Sequence, residues 1–503
     1  MRTVIKYFIA SILFINMELN CSCFYIDSKI GSDDNSGKAP WKPWRSIEHL
    51  NTMWQSFNPG DTILFRRNQE WRPLDLLNAV INITGKGLHG TEINPIVISA
   101  YGPGNKPIIS CENSRTSTAL FASNISYVII KNIHFIGEIK FHNYLNNLDS
   151  VIKNVKLIYC ISSGSAVKNE VRSGIDFYAQ SVEIGAEKWN QAVMNNIEIG
   201  YCTVKNSIQQ LNLGIQLYGQ GSNWIHHNKV YNSGRSGINF AEGNKNTIEF
   251  NLISGTYGAG IKHSVHSGSA DSTIIRCNVV LQTNGIGLQL VNLTNSKIYN
   301  NTVVTQNNYS FFFGWNPQNP VPYCGKGKYG FNNNLIANNI FVGRSGWLST
   351  PHNVKLIYKD GTIIESYKTK LIWSDNKFQN NIFFNPYSEN IIYVREYKEG
   401  TKVYYDEIHG GVYRAELVWK EFYIKKNDLN EEWLSKKNVN GDKFCDPKFV
   451  DSYWNSSEDY GDFSLKEDSP AKSKGINLDN NYYDLLGNII PPNHTPNIGA
   501  IQN

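Results

Sequence analysis

Within ten residues the chain carries Lys262, His266 and Asp271, an amine, an imidazole and a carboxylate close enough to share one loop. Lysine is a useful base only when its ammonium form is disfavoured. Neighbouring positive charge, a metal or loss of solvent lowers its pKa from about 10.4. A neutral Lys262 can then remove a proton beside a uronate carboxylate, with His266 assisting as acid. Hydrolysis of a glycosidic bond needs two carboxylates instead, about 5–5.5 Å apart for retention and about 6.5–9.5 Å for inversion. Asp176, Glu183, Glu187, Glu242 and Asp271 are the candidates, and Glu242 is the better partner for the Lys262 loop. Arg235, just before Gly237, is placed to bind a carboxylate. No HxH or HExxH spacing surrounds His226-His227, so no zinc site is expected there.

These residues share a surface only if the chain repeats, and it does. Gly-Ile-x-apolar recurs at Gly174, Gly214, Gly237, Gly260 and Gly285. An Asn before a β-branched or aromatic pair recurs at Asn228, Asn251, Asn278, Asn301, Asn339 and Asn381. Gly214 to Gly237 to Gly260 is twice 23 residues, and Asn228 to Asn251 is 23 again. A unit that short cannot bury its own apolar face. Stacked at the strand spacing of about 4.8 Å, each unit pairs its backbone with the next, and like residues fall on like. The fold expected is all-β: a single-stranded right-handed parallel β-helix solenoid, about a dozen coils and roughly 60 Å long. Its recurring Asn should form a ladder at one turn.

Alternation then separates inward from outward residues. One outward row reads Asp176, Gln216, Asn239, Lys262, Gly287, and the next reads Tyr178, Tyr218, Ala241, Ser264, Gln289. Amides, a carboxylate, an amine and tyrosines suit a sugar chain, whose rings offer apolar faces and hydroxyl rims. Asp176, Tyr178, Gln216, Tyr218, Asn239 and Arg235 are therefore the expected substrate-binding residues, and Lys262, His266, Glu242 and Asp271 the expected catalytic ones. His263 shares a row with Phe177, Leu217, Phe240 and Leu288 and should point inward. From Gly to the next ladder Asn takes 14 residues at Gly214 and Gly237, 18 at Gly260 and 16 at Gly285. The surplus after Lys262 should bulge and wall a site.

The ends break the rhythm. Residues 24–110 read as an N-terminal cap with first coils, 111–343 as the central solenoid, and 344–503 as distorted C-terminal coils with an irregular insertion and a closing tail. A short helix is expected near Leu417–Leu434, and Trp41, Trp44, Trp54 and Trp71 are expected to pack as a lid. The opening Gly31-Ser32-Asp33-Asp34-Asn35-Ser36-Gly37 and the step Pro59-Gly60-Asp61-Thr62-Ile63-Leu64-Phe65 carry a resemblance. So do the closing Asp446-Pro447-Lys448-Phe449-Val450-Asp451, Ser469-Pro470-Ala471 and Ile498-Gly499-Ala500. Together they resemble secreted bacterial proteins of the pectate-lyase-like β-helix superfamily. That resemblance implies a carbohydrate-active protein, with calcium as a cofactor in some of its lyases. It covers lyases, glycoside hydrolases, uronate epimerases and non-catalytic surface solenoids alike. Lys262 tilts the expectation to a polysaccharide lyase.

The N-terminus reads as a secretory signal peptide over residues 1–23: Arg2 and Lys6, an apolar run Tyr7 to Ile15, then Cys21-Ser22-Cys23. The run is too short to span a bilayer. A lipid anchor at Cys21 or Cys23 is the lesser alternative, and the location expected is secreted or periplasmic. The net charge of +5 includes no basic cluster of the kind nucleic acid requires, while a mild positive bias suits an acidic polysaccharide. No partner other than polysaccharide, and a monomer, are expected. Cys160, Cys202 and Cys277 fall at similar places in the repeat and read as buried fillers.

Overall fold

The computed structural model describes residues 21–74, 78–144, 151–164, 173–180, 194–205, 213–218, 221–241, 244–263, 270–306, 308–314, 330–351, 355–358, 372–398, 400–406, 411–427, 441–478, 482–490 and 494–502. Short strands recur in fixed order, and each pairs with its equivalent one coil away. The result is a right-handed parallel β-helix with three long sheets. Sheet one runs from Ile81–Ile83 through Glu138–Tyr144, Ser173–Gln180, Leu213–Tyr218, Ile238–Ala241, Ile261–His263 and Leu288–Val291 to Asn390–Tyr397. Sheet two runs from Cys23–Ile26 through Met194–Gly200, Trp224–His226 and Thr247–Glu249 to Lys377–Gln379. Sheet three runs from Glu70–Trp71 to Ile382–Phe384.

The core follows from alternation. Ile175, Ile215, Ile238, Ile261 and Leu288 form one fully buried file of sheet one. Phe141 and Phe177 stack in the next, with centroids 4.2 Å apart. Between sheets two and three the ladder forms as expected. Each Asn Nδ2 donates to the Oδ1 one coil on, from Asn228 to Asn251, Asn278 and Asn301 at 3.0 Å each, then to Asn339 and Asn381 at 2.9 Å each. Asp442 closes it at 3.0 Å. The residue before each ladder position turns left-handed, at His227, Phe250, Cys277, Asn300, Asn338 and Asn380. Cys160 and Cys202 continue the ladder column below Asn228, whereas Cys277 occupies the left-handed column beside it; all three are buried. The three cysteines are therefore fillers of two different columns.

Three details differ from the sequence reading. Lys262 pairs with Gln289, not Gly287, and Ile261 with Leu288. Alternation fixes the face but not the register, and a slip of two residues keeps every side chain on its side. Gly287 instead fills the slot of Gly260: a Cβ there would meet Val303 Cγ1 at 2.2 Å and Ser310 O at 2.4 Å. Beyond residue 343 the coils run on to Asn390–Tyr397, and long excursions stretch the ladder step from Asn339 to Asn381 to 42 residues. Trp419–Lys425 is no helix but a strand antiparallel to Asn390–Tyr397, where its aromatic residues meet those of sheet one. Finally, Trp44, Trp54 and Trp71 are buried in the cap, while Trp41 is 76% exposed.

The resembling end motifs have local causes. Asp33 accepts from the backbone N–H of Arg45 and Ser46 (2.9 Å each), and Ser46 caps the helix Ile47–Met53. Asp61 accepts from the N–H of Ser22 and Asn58, both at 2.8 Å, so the Pro-Gly-Asp turn ties the first strand down. In the tail, Phe449, Phe463, Leu465, Ala471, Ile498 and Ala500 pack on Val279, Leu281, Val304, Ile340 and Ile382, covering the later strands of sheet three. Gly499 has φ +103°, and a Cβ would press Ile340 Cδ1 at 2.8 Å. No described helix is long and apolar enough to cross a membrane.

Candidate functional site

The outward face of sheet one carries the row from Asp176 to Lys262. Register places Asp176 beside Gln216, Gln216 beside Asn239, and Asn239 beside Lys262. Tyr178 and Tyr218 are neighbours in the second row, tilted 47° with centroids 5.3 Å apart rather than stacked. Asn239 Nδ2 donates to Tyr218 Oη at 3.4 Å, which links the two rows.

At the upper end Lys262 forms no ion pair among the described residues. Burial pushes its pKa down, and the positive charge of Arg235 pushes it further the same way. Arg235 reaches it from the turn between sheets three and one, one coil below, because the strand Ile238–Ala241 begins three residues after it. The turn is held by close backbone packing: a Cβ on Gly258 would meet Arg235 O at 2.1 Å. His263 points inward and is fully buried, its Nδ1 against Val291 O.

At the lower end lies a polar cluster that the Gly-Ile motif does not mark. Asp176 is buried; its Oδ2 is 2.9 Å from His142 Nε2, and its Oδ1 accepts from Gln216 Nε2 at 2.8 Å. Two residues before, Lys140 pairs with the fully buried Glu138, which also accepts from Ser173 N at 2.9 Å and Ser117 Oγ at 3.1 Å. Glu138-Ile139-Lys140-Phe141-His142 alternates perfectly, so period alone would have found it. It lacks the Gly-Ile signature that marked its neighbours. From Asp176 to Lys262 is three coils, about 14 Å, so the two ends do not act on one bond.

Asp271 lies elsewhere. It pairs with Thr294 in a short separate sheet, and Ser272 Oγ, Thr294 Oγ1 and Asn295 Nδ2 all donate to its carboxylate. Burial raises its pKa, but those hydrogen bonds outweigh this and hold the carboxyl below the ordinary range. Glu183, Glu187, Glu242 and His266 lie outside the described residues. Among the described residues no group of three His, Cys, Asp or Glu side chains could hold a metal ion.

Comparison with known proteins agrees with this architecture. Residues 173–324 match the family model described as a right handed beta helix region. No curated protein matches the sequence. Among solved structures, the complex of XylC with xylose is 11% identical over 95% of this chain and 98% of that one, with TM-score 0.56. Pectate lyase Pel9A is 12% identical, covering 96% and 98%, with TM-score 0.48. A GH136 lacto-N-biosidase from Eubacterium ramulus is 13% identical over 72% of this chain, which spans only 64% of its length, with TM-score 0.42. At such identities the likeness concerns fold. Stacked parallel sheets, an asparagine ladder and the match to a right handed beta helix region together make this chain a right-handed parallel β-helix.

Proposed function

We propose that the protein is a secreted polysaccharide-cleaving enzyme acting by β-elimination on a uronate-containing glycan laid along sheet one. The observation that carries this reading is the state of Lys262: desolvated, beside Arg235, and without an acidic partner among the described residues. Those conditions favour the neutral amine, the form that accepts a proton. In the step, Lys262 Nζ takes the proton on the carbon next to the uronate carboxylate. The electrons form a carbon–carbon double bond as the glycosidic oxygen leaves and is protonated. Arg235 holds the carboxylate and offsets the charge that builds on it. Asn239, Gln216, Tyr178 and Tyr218 position the chain below the cut, and His266 is the expected proton donor to the leaving oxygen.

A second reading, a glycoside hydrolase, is favoured by one observation. Glu138 and Asp176 are buried carboxylates on neighbouring strands, one held by Lys140 and the other by His142. Incubation with a panel of uronate-containing and neutral polysaccharides separates the readings. Ultraviolet absorbance of an unsaturated product supports elimination, and reducing ends without it support hydrolysis. An inverted uronate without cleavage means an epimerase, and binding without turnover means a passive glycan-binding solenoid; either result rejects a cleaving enzyme.

A further inference from the structure

The outward row of sheet two reads Lys156, Glu198, Trp224, Thr247, Ile274, Lys297. An indole in such a solvent-facing row is the anomaly, and it is held in place. Trp224 lies against the His226 ring at 3.7 Å and 21°, and its Nε1 donates to Glu249 Oε1 at 2.7 Å. His226 in turn fits only over Gly200, where a Cβ would come within 2.5 Å of its Nε2. One indole face is thus occupied, yet Trp224 remains 41% exposed through the other face and its rim.

Beside it the left-handed column sends aromatics outward. Tyr159 and Tyr201 stack at 4.8 Å and 12°, and Tyr201 stacks on His227 at 4.6 Å and 19°, with the tyrosines 46% and 44% exposed. Higher in the same column, Phe250 and Cys277 are roofed by Ile490 and Leu485 of the tail. The described tail stops short of the tyrosines. Polar groups flank the rings: the Glu198 carboxylate accepts from Lys156 Nζ at 2.7 Å and lies 3.4 Å from His226 Nε2, a buried nitrogen with no hydrogen bond among the described residues.

We propose that Trp224 with Tyr201, Tyr159 and Glu198 forms a second saccharide-binding face, on a different sheet from the proposed sheet-one site, that takes a pyranose ring of a polysaccharide. Fixed aromatic rings beside a carboxylate and an ammonium match a ligand with one apolar face and a hydroxyl rim. Because the rings are already braced, binding orders little. The choice of a polysaccharide ligand rests on the proposed function; the location does not.

Affinity electrophoresis of the full chain through gels of polygalacturonate, alginate or xylan tests it. Retardation by at least one glycan is expected. Trp224→Ala and, as a milder second variant, Tyr201→Ser should each weaken it by roughly fivefold or more. Trp41→Ala, an exposed tryptophan in the cap, should leave it unchanged. Equal retardation of the wild type and both variants overturns the proposal, as does no retardation in any gel. Turnover of the same glycans, measured separately, reports on the sheet-one site, so each idea can fail without the other.

Discussion

Lys262 and Arg235 are coupled through charge, which makes the proposed chemistry testable at single residues. Replacing Lys262 by Ala should cost at least about 100-fold in turnover if it is the general base; full activity in that variant removes it from the mechanism. Activity should rise with pH as Lys262 loses its proton, with a midpoint below the ordinary lysine value because burial and Arg235 both disfavour the ammonium. Arg235→Gln removes one of those two effects, so the midpoint of the pH–rate profile should move upward. A midpoint that stays put or falls would show that Arg235 does not act on Lys262. A different pair is expected to contribute to stability in acid. His226 and His227 face each other through Nδ1 atoms 2.9 Å apart, an arrangement in which one donates and the other accepts. Burial lowers both pKa values, and their mutual charge lowers that of His226 further, with Glu198 and Glu249 pulling partly the other way. Groups with depressed folded pKa values contribute stability that is complete above the unfolded value of about 6.5 and is lost as pH falls. Thermal melting should therefore decline between neutrality and mild acid, and His226→Phe should flatten that decline. A parallel decline in the variant would place the acid sensitivity elsewhere.

Among elements, the asparagine ladder was the most legible feature, since each rung must be the same residue at the same turn. Asn251 shows why. Its Nδ2 donates to Asn278 Oδ1, Ile225 O and Glu249 O, while its Oδ1 accepts from the side chain and backbone of Asn228. Asn251→Ala leaves several buried groups unpaired at once, which should cost about 2–4 kcal/mol and lower the melting temperature by several degrees. Loss of less than a degree would mean that the backbone pairing alone holds the turn. Register was less legible. Gly285-Ile286 imitates the motif so well that only the clash at Gly287 betrays the true alignment. The lower half of the site was hidden for a related reason: Glu138, Lys140 and His142 alternate correctly but Glu138 stands where the motif has its glycine, and their importance comes from Asp176, a full coil away. Ion pairing between coils leaves no trace in linear spacing.

For the whole molecule, the general architecture was readable because a solenoid repeats its reasons. The closing segments were not, because each makes its contacts once. The tail is the clearest case: its apolar residues look scattered in sequence and become a continuous cover only against sheet three. A chain ending at residue 440 should expose that face and associate on size-exclusion chromatography; a monodisperse product would show that the cover is dispensable. The reversed strand Trp419–Lys425 has a consequence of another kind. Sheets built by parallel addition leave, at each new coil, a row of unpaired amides and carbonyls ready to receive one more strand of the same direction. Here the last recipient of sheet one has been given a strand running backward, with Lys420, Glu421 and Lys425 along it. A second molecule arriving end-on finds neither the expected polarity nor a neutral rim. The rod thereby carries its own terminus, and its finite length is written into a single change of chain direction.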